Sequence, residues 1–275
     1  MVVEPMDTDE REELLRSVVL KPVQTMQWHK GIAGLFLNLD FLQVWGADHK
    51  LLNMMEYGVD LEVRALKPKF RKNHPSLTKN AEAAHEEWRR QSDEGKVTWL
   101  GRVRPEQLNV NPCALILTAR EDGSVKSRLI LDLLKGLVNE RVRKWSVSYG
   151  TVELATSRLQ RGSYLFVVDL ADCFGNWKIK EVDTWELGFF DEFSGEYGKY
   201  DFCPNGLAPA PGINDTALKE ILRVMSAHLG FCVTDFVDDL LGGGADYNAA
   251  WARFGAVVTF LSAVGLGVAS KRGGL

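Results

Sequence analysis

The chain has 275 residues, a hydrophobic share of 45% and a net charge of −4, which allows one large domain or two small ones with ample apolar material for a core. Its four cysteines (Cys113, Cys173, Cys203, Cys232) lie far apart with no C-x-x-C spacing; this argues against a zinc site and for reduced thiols in an intracellular compartment, cytoplasmic or nuclear. No apolar run reaches the ~18 residues of a membrane span, the acidic N-terminus has no signal-peptide core, and the overall charge lacks the basic footprint of a nucleic-acid binder.

Residues 1–13 read as a disordered acidic tail (Glu4, Asp7, Asp9, Glu10, Glu12, Glu13). From Leu14 to about Leu66, short helices and loops are expected, broken at Gly31, Gly34, Gly46 and Gly58. Residues 67–80 carry Lys67, Lys69, Arg71, Lys72 and Lys79 with Pro68 and Pro75, and read as a basic linker. With Arg141, Arg143 and Lys144, these cations form solvated faces that would also suit a substrate made of phosphates. Ala81 to Gly95 is a polar stretch of strong helix formers ending at a glycine.

The second half is more regular. Cys113–Ala119 and Lys126–Leu133 flank an Asp-Gly turn, a good hairpin signal. Val152–Arg161 reads as a short amphipathic helix and Tyr164–Val168 as a strand ending in Asp169. A further hairpin is expected from Trp185–Phe190 and Tyr197–Phe202, then a helix capped at Asn214 or Asp215 with Leu218, Ile221, Leu222, Met225 and Leu229 on its apolar stripe. A hairpin over 231–241, a helix from Ala249 to Ala263 and a strand-like end at Leu266–Ser270 complete the order, which fits a split β-α-β sheet with helices on one face. Gly242-Gly243-Gly244 reads as a flexible turn, Asp235 as a polar strand position, and Trp88 and Trp99 as packing residues. The five histidines are scattered, so none is assigned a ligand role.

Two stretches carry the chemistry. In Phe236-Val237-Asp238-Asp239 an apolar strand runs into an adjacent acidic pair, and in Phe166-Val167-Val168-Asp169 another ends in a carboxylate. Neighbouring carboxylates repel unless cations sit between them. Hard oxygen ligands from two strand ends suit Mg²⁺, with substrate phosphates completing its shell. Two such ions serve an in-line phosphoryl displacement.

These stretches are joined by others in a recognisable order. Phe236-Val237-Asp238-Asp239 resembles the aromatic-x-Asp-Asp box of reverse transcriptases of the retrotransposon type, and Asp169-Leu170-Ala171-Asp172-Cys173-Phe174 resembles their first catalytic-aspartate box. Phe202-Cys203-Pro204-Asn205-Gly206-Leu207-Ala208-Pro209-Ala210-Pro211 is similar to the segment beneath the incoming nucleotide and template. The run from Asp122 to Leu133 is similar to the fingers hairpin that grips the triphosphate, and Lys271 to the lysine of the fourth palm box.

The resemblance, over about Cys113 to Lys271, implies an α+β right-hand polymerase: fingers and palm, a ferredoxin-like antiparallel palm sheet with helices on one face, and no thumb, since the chain stops at Leu275. The implied division is a tail over 1–13, a helical extension and start of the fingers over 14–100, the fingers hairpin and a connecting helix over 101–163, and the palm over 164–275. The implied activity is RNA-directed DNA polymerisation on an RNA or DNA template–primer, using dNTPs and two Mg²⁺ ions, with Mn²⁺ as a substitute. Asp169 and Asp238 would bind the metals, with Asp239 close by, and Arg128, Arg120 or Lys126, Lys271 and the backbone from Leu170 to Asp172 would cradle the triphosphate. Phe174 would exclude a ribose 2′-hydroxyl by bulk, and Pro204, Asn205 and Gly206 would touch the template–primer. The alternative is a catalytically inactive retroelement remnant or a repurposed nucleic-acid-binding protein. A Mg²⁺-dependent nuclease would leave the Pro-Asn-Gly and Asp-Gly-Ser segments without a role.

Overall fold

Residues 37–64, 67–119, 123–159 and 161–268 are described by the computed structural model. In chain order they form α1 (Leu39–Val44), α2 (His49–Tyr57), α3 (Pro75–Thr78), α4 (Ala81–Asp93), β1 (Val97–Gly101), β2 (Cys113–Ala119), β3 (Val125–Leu131) and α5 (Val152–Ser157). There follow β4 (Tyr164–Asp169), α6 (Glu181–Thr184), β5 (Gly188–Asp191), β6 (Glu196–Tyr200), α7 (Ala210–Leu229), β7 (Thr234–Phe236), β8 (Asp239–Gly244) and α8 (Tyr247–Val264). The class is α+β, with antiparallel sheets. Among the described residues no helix is long and apolar enough to cross a membrane. The expectations for residues 1–13, Gly31 and Gly34 fall outside the described residues. The described residues divide into two compact units, one drawn from those up to Leu52, from Ser148–Cys173 and from Asp215 onward, the other from those within Asn53–Val147 and Phe174–Asn214.

The first unit is built on an antiparallel sheet of order β4–β8–β7. Strand β4 alternates: Phe166 and Val168 are buried while Leu165 and Val167 are exposed, the period-2 pattern of a sheet packed on one side. Helix α8 covers the buried side. The Phe166 ring meets that of Phe254 edge-on at 5.8 Å, and Arg253 Nη1 donates to the Gly243 carbonyl at 2.8 Å. Asp246 caps α8 by accepting from the Ala249 amide, and Gly265 ends it in the left-handed conformation. Phe260 of α8 is fully buried against Phe41 of α1 and Trp45 just after it, a burial worth about 2–3 kcal/mol. Helix α7 starts at Ala210, ahead of the expected cap at Asn214 or Asp215; on its apolar stripe Leu218, Ile221, Leu222 and Met225 are buried and Leu229 is half-buried.

Gly242, Gly243 and Gly244 are not a turn. They form the end of β8 and pair with Phe166, Leu165 and Tyr164. A Cβ on Gly242 would stand 2.3 Å from the Phe166 ring, and one on Gly244 would stand 2.3 Å from the Ala250 nitrogen of α8. The glycines are there because ring and helix backbone lie against the strand with no space for a side chain.

In the second unit the sheet order is β1–β6–β5. The hairpin over β5 and β6 therefore pairs with β1 rather than joining β4, as the order of elements implied. Two parallel bridges, Val110 to Gly188 and Phe70 to Val110, extend this sheet. The stretch 67–80 is thus folded rather than a linker: the Val110 amide donates to the Lys69 carbonyl at 2.7 Å, and the His74 amide to the Cys113 carbonyl at 2.9 Å. Trp88 of α4, fully buried, stacks on Phe189 at 4.4 Å and donates to the Tyr200 hydroxyl at 3.1 Å. Strands β2 and β3 form the expected hairpin, in register from Cys113 opposite Leu131 to Ala119 opposite Val125.

Candidate metal centre

At the end of the first unit's sheet, Asp169 of β4 stands directly opposite Asp239 of β8, which pairs on its other side with Phe236 of β7. Strands β7 and β8 are joined by Val237 and Asp238 alone, so a two-residue turn carries the second aspartate. Such tight hairpin turns need φ above zero, and Val237 supplies it at 61°. For a β-branched side chain that conformation is rare and costs about 1–3 kcal/mol. The turn is tethered by the Leu170 amide, which donates to the Asp238 carbonyl at 2.8 Å, and by the Cys173 thiol, 3.5 Å from the Val237 carbonyl.

The result is a cluster of three half-buried carboxylates. One oxygen from each of Asp169, Asp238 and Asp239 lies within 4.8 Å of the others. With an effective dielectric of ~20, each ionised pair at that separation repels by about 3 kcal/mol. Strain and repulsion are thus concentrated on a few residues at this end of the sheet, as they often are at functional sites. Two oxygens on one Mg²⁺ are at most about 4.2 Å apart, and paired ions about 3.5–4 Å, so this donor set fits hard divalent cations.

The other expected residues are distributed as follows. Leu170 is buried with its amide committed to the Asp238 carbonyl, and the Ala171 amide is committed to the Gly267 carbonyl at 2.8 Å. The open backbone cradle expected from Leu170 to Asp172 is therefore partly used within the fold, because these two amides hold the site together. Asp172 is exposed, with φ of 47°. Phe174, half-buried, opens a short 3₁₀ turn in the second unit. Lys126 and Arg128 are exposed on β3 of that unit. In the Pro204-Asn205-Gly206 loop, also of the second unit, the Leu131 amide donates to the Asn205 carbonyl at 2.8 Å and Asn139 Nδ2 to that of Gly206 at 2.9 Å. Gly206 has φ of 109°, and its Cβ position is 2.0 Å from the Leu131 carbonyl oxygen, so only glycine fits. Arg120 and Lys271 lie outside the described residues.

Sequence reasoning passed over Tyr149. Its ring is 5.6 Å from that of Phe236, and burial, followed by the nearby Asp215, Cys173 and Asp238, holds its phenol above its ordinary value. The Gly150 amide pins the segment by donating to the Asp235 carbonyl at 2.9 Å. Only a Ser-Tyr-Gly run before the α5 cap marks it in the sequence, which is no signal of a site.

Asp235, on β7, is partly buried, and that burial raises its carboxyl above the ordinary 3.8 despite Lys219 and Arg158. A raised carboxyl holds its proton more tightly in the folded state, so its contribution to stability is full below pH ~4 and lost as pH rises through the folded value. Asp235→Asn is expected to be more stable than the native chain at pH 7, with the gain vanishing near pH 4. Urea melts at the two pH values measure it.

No family model matches the chain. It is 26% identical over 172 residues to the retrovirus-related Pol polyprotein from transposon opus of Drosophila melanogaster. The match covers 61% of this chain and 16% of that polyprotein. The similarity supports a retrotransposon-derived protein related to Pol.

Proposed function

We propose that the chain is a reverse transcriptase domain of the retrotransposon type, an RNA-directed DNA polymerase with its fingers hairpin and connecting helix over 101–163 and its palm over 164–275. The observation that carries this reading is the convergence of Asp169, Asp238 and Asp239 on a strained two-residue turn. The similarity to a transposon Pol polyprotein supports it independently of that geometry.

In this reading Asp169 and Asp238 hold the cations and Asp239 secures the second strand beside them. Divalent ions bound there would lower the pKa of the primer 3′-hydroxyl and neutralise charge on the leaving pyrophosphate. The hydroxyl gives up its proton to water and attacks the α-phosphate of a dNTP; a new P–O bond forms as the bond to pyrophosphate breaks. Arg128, with Lys126 and Arg120, supplies positive charge to the triphosphate, where phosphoryl transfer needs it. Lys271 adds a further positive charge, the Asp172 backbone completes the cradle, and Pro204, Asn205 and Gly206 contact template–primer. The ring of Phe174 meets the sugar 2′ position and rejects ribonucleotides by bulk.

Primer extension on an RNA template with dNTPs and Mg²⁺ tests the proposal. Template-dependent extension supports it; binding of primer–template without extension supports an inactive nucleic-acid-binding remnant instead. Phe174→Ala is expected to raise ribonucleotide incorporation relative to deoxynucleotide by about 10–100-fold, the discrimination a steric pocket supplies. Competition between rNTP and dNTP in single-nucleotide extension reads it.

A further inference from the structure

Asp238 owes its place to two fixed peptide groups. The carbonyl that follows it accepts the Leu170 amide at 2.8 Å. The carbonyl that precedes it, that of Val237, accepts the Cys173 thiol at 3.5 Å. Because each peptide unit is planar, tethering the carbonyls on both sides leaves Asp238 little freedom besides its own side-chain rotation. The second tether falls on the residue least content with its conformation, a valine at φ of 61°. Cys173 is itself buried, at 7% exposure, so its donor does not turn to solvent. A thiol suits this place, since it donates weakly without adding charge beside three carboxylates.

We propose that Cys173 is a positioning residue for the carboxylate site: its thiol holds the strained Val237–Asp238 turn in the form that presents Asp238 to a divalent cation. This rests on the reading of Asp169, Asp238 and Asp239 as a cation site. Cys173 touches no reacting atom in this account. It acts as an outer partner that orients a ligand, and loss of such a partner weakens metal binding by about 10–100-fold.

Mn²⁺ titration of the full chain, followed by electron paramagnetic resonance, tests it without requiring polymerase activity. Cys173→Ala is expected to bind Mn²⁺ about tenfold more weakly, while Cys173→Ser, which keeps a donor, binds nearly as the native chain does. In a Val237→Gly background the alanine effect should shrink, because glycine takes positive φ without strain. If Cys173→Ala binds as well as native while Asp238→Ala loses the ion, the inference is overturned. Serine and alanine weakening binding equally would also overturn it, because packing rather than donation would be at work. Should the alanine variant fail to fold, the serine variant decides alone: native affinity supports the inference and a tenfold loss refutes it. If Asp238→Ala keeps full Mn²⁺ affinity, the carboxylate reading itself fails, and that outcome is distinct from the others.

Discussion

Asp238→Ala is expected to lower primer extension by about a thousandfold or more while leaving the chain folded and no less stable. The loss follows from the position of the residue, since electrostatic stabilisation is the largest part of phosphoryl-transfer catalysis and a missing charged partner removes it directly. The stability result comes from the same geometry with the opposite sign. In metal-free buffer the Asp238 carboxylate repels Asp169 and Asp239, whose oxygens lie within 4.8 Å. Alanine removes that repulsion and leaves the Asp238 backbone carbonyl free to keep its Leu170 tether. Extension rates beside thermal melts in EDTA give both quantities. A variant that loses activity only because it unfolds would show a lowered melting temperature.

Gly244→Ala is expected to destabilise the first unit by about 3 kcal/mol, at the upper end of overpacking costs. The added Cβ would stand 2.3 Å from the Ala250 nitrogen, 2.6 Å from the Ala249 carbonyl carbon and 2.8 Å from the Ala250 Cα. All three are backbone atoms of α8, so no side-chain rotation relieves the contact and the helix must move off the strand. Gly242→Ala makes an equally short contact, at 2.3 Å, but with the ring of Phe166. A ring can tilt, so a cost of about 1 kcal/mol is expected there. Urea denaturation of the two variants reads the difference. Equal, small effects at both positions would show that α8 does not lie against the end of β8.

The strands that bear the site were legible because their signals are local. The apolar run Phe166-Val167-Val168 ending in Asp169 marks β4 and its terminal carboxylate, and Cys113–Ala119 with its Asp-Gly turn marks the β2–β3 hairpin. Which strands pair is not a local property. The hairpin of β5 and β6 seemed to continue the sheet of β4, yet it pairs with β1, a five-residue strand passed over between Gly95 and the loop after it. The glycines of β8 misled for a related reason. In isolation Gly242-Gly243-Gly244 has turn chemistry, and only the ring of Phe166 and the backbone of α8 explain its place in a strand. The basic stretch 67–80 looked like a linker because its contacts, at Val110 and Cys113, are made by residues far along the chain. Tyr149 reaches the site through the tether from Gly150 to Asp235, which no periodicity announces.

The most direct measurement is the anomalous difference density of crystals soaked in Mn²⁺. A peak bridging the carboxylates at the end of β4 and the β7–β8 turn, at about 2.1 Å from their oxygens, is the predicted result. Density free of any such peak, with those three side chains pointing apart at saturating Mn²⁺, would contradict it.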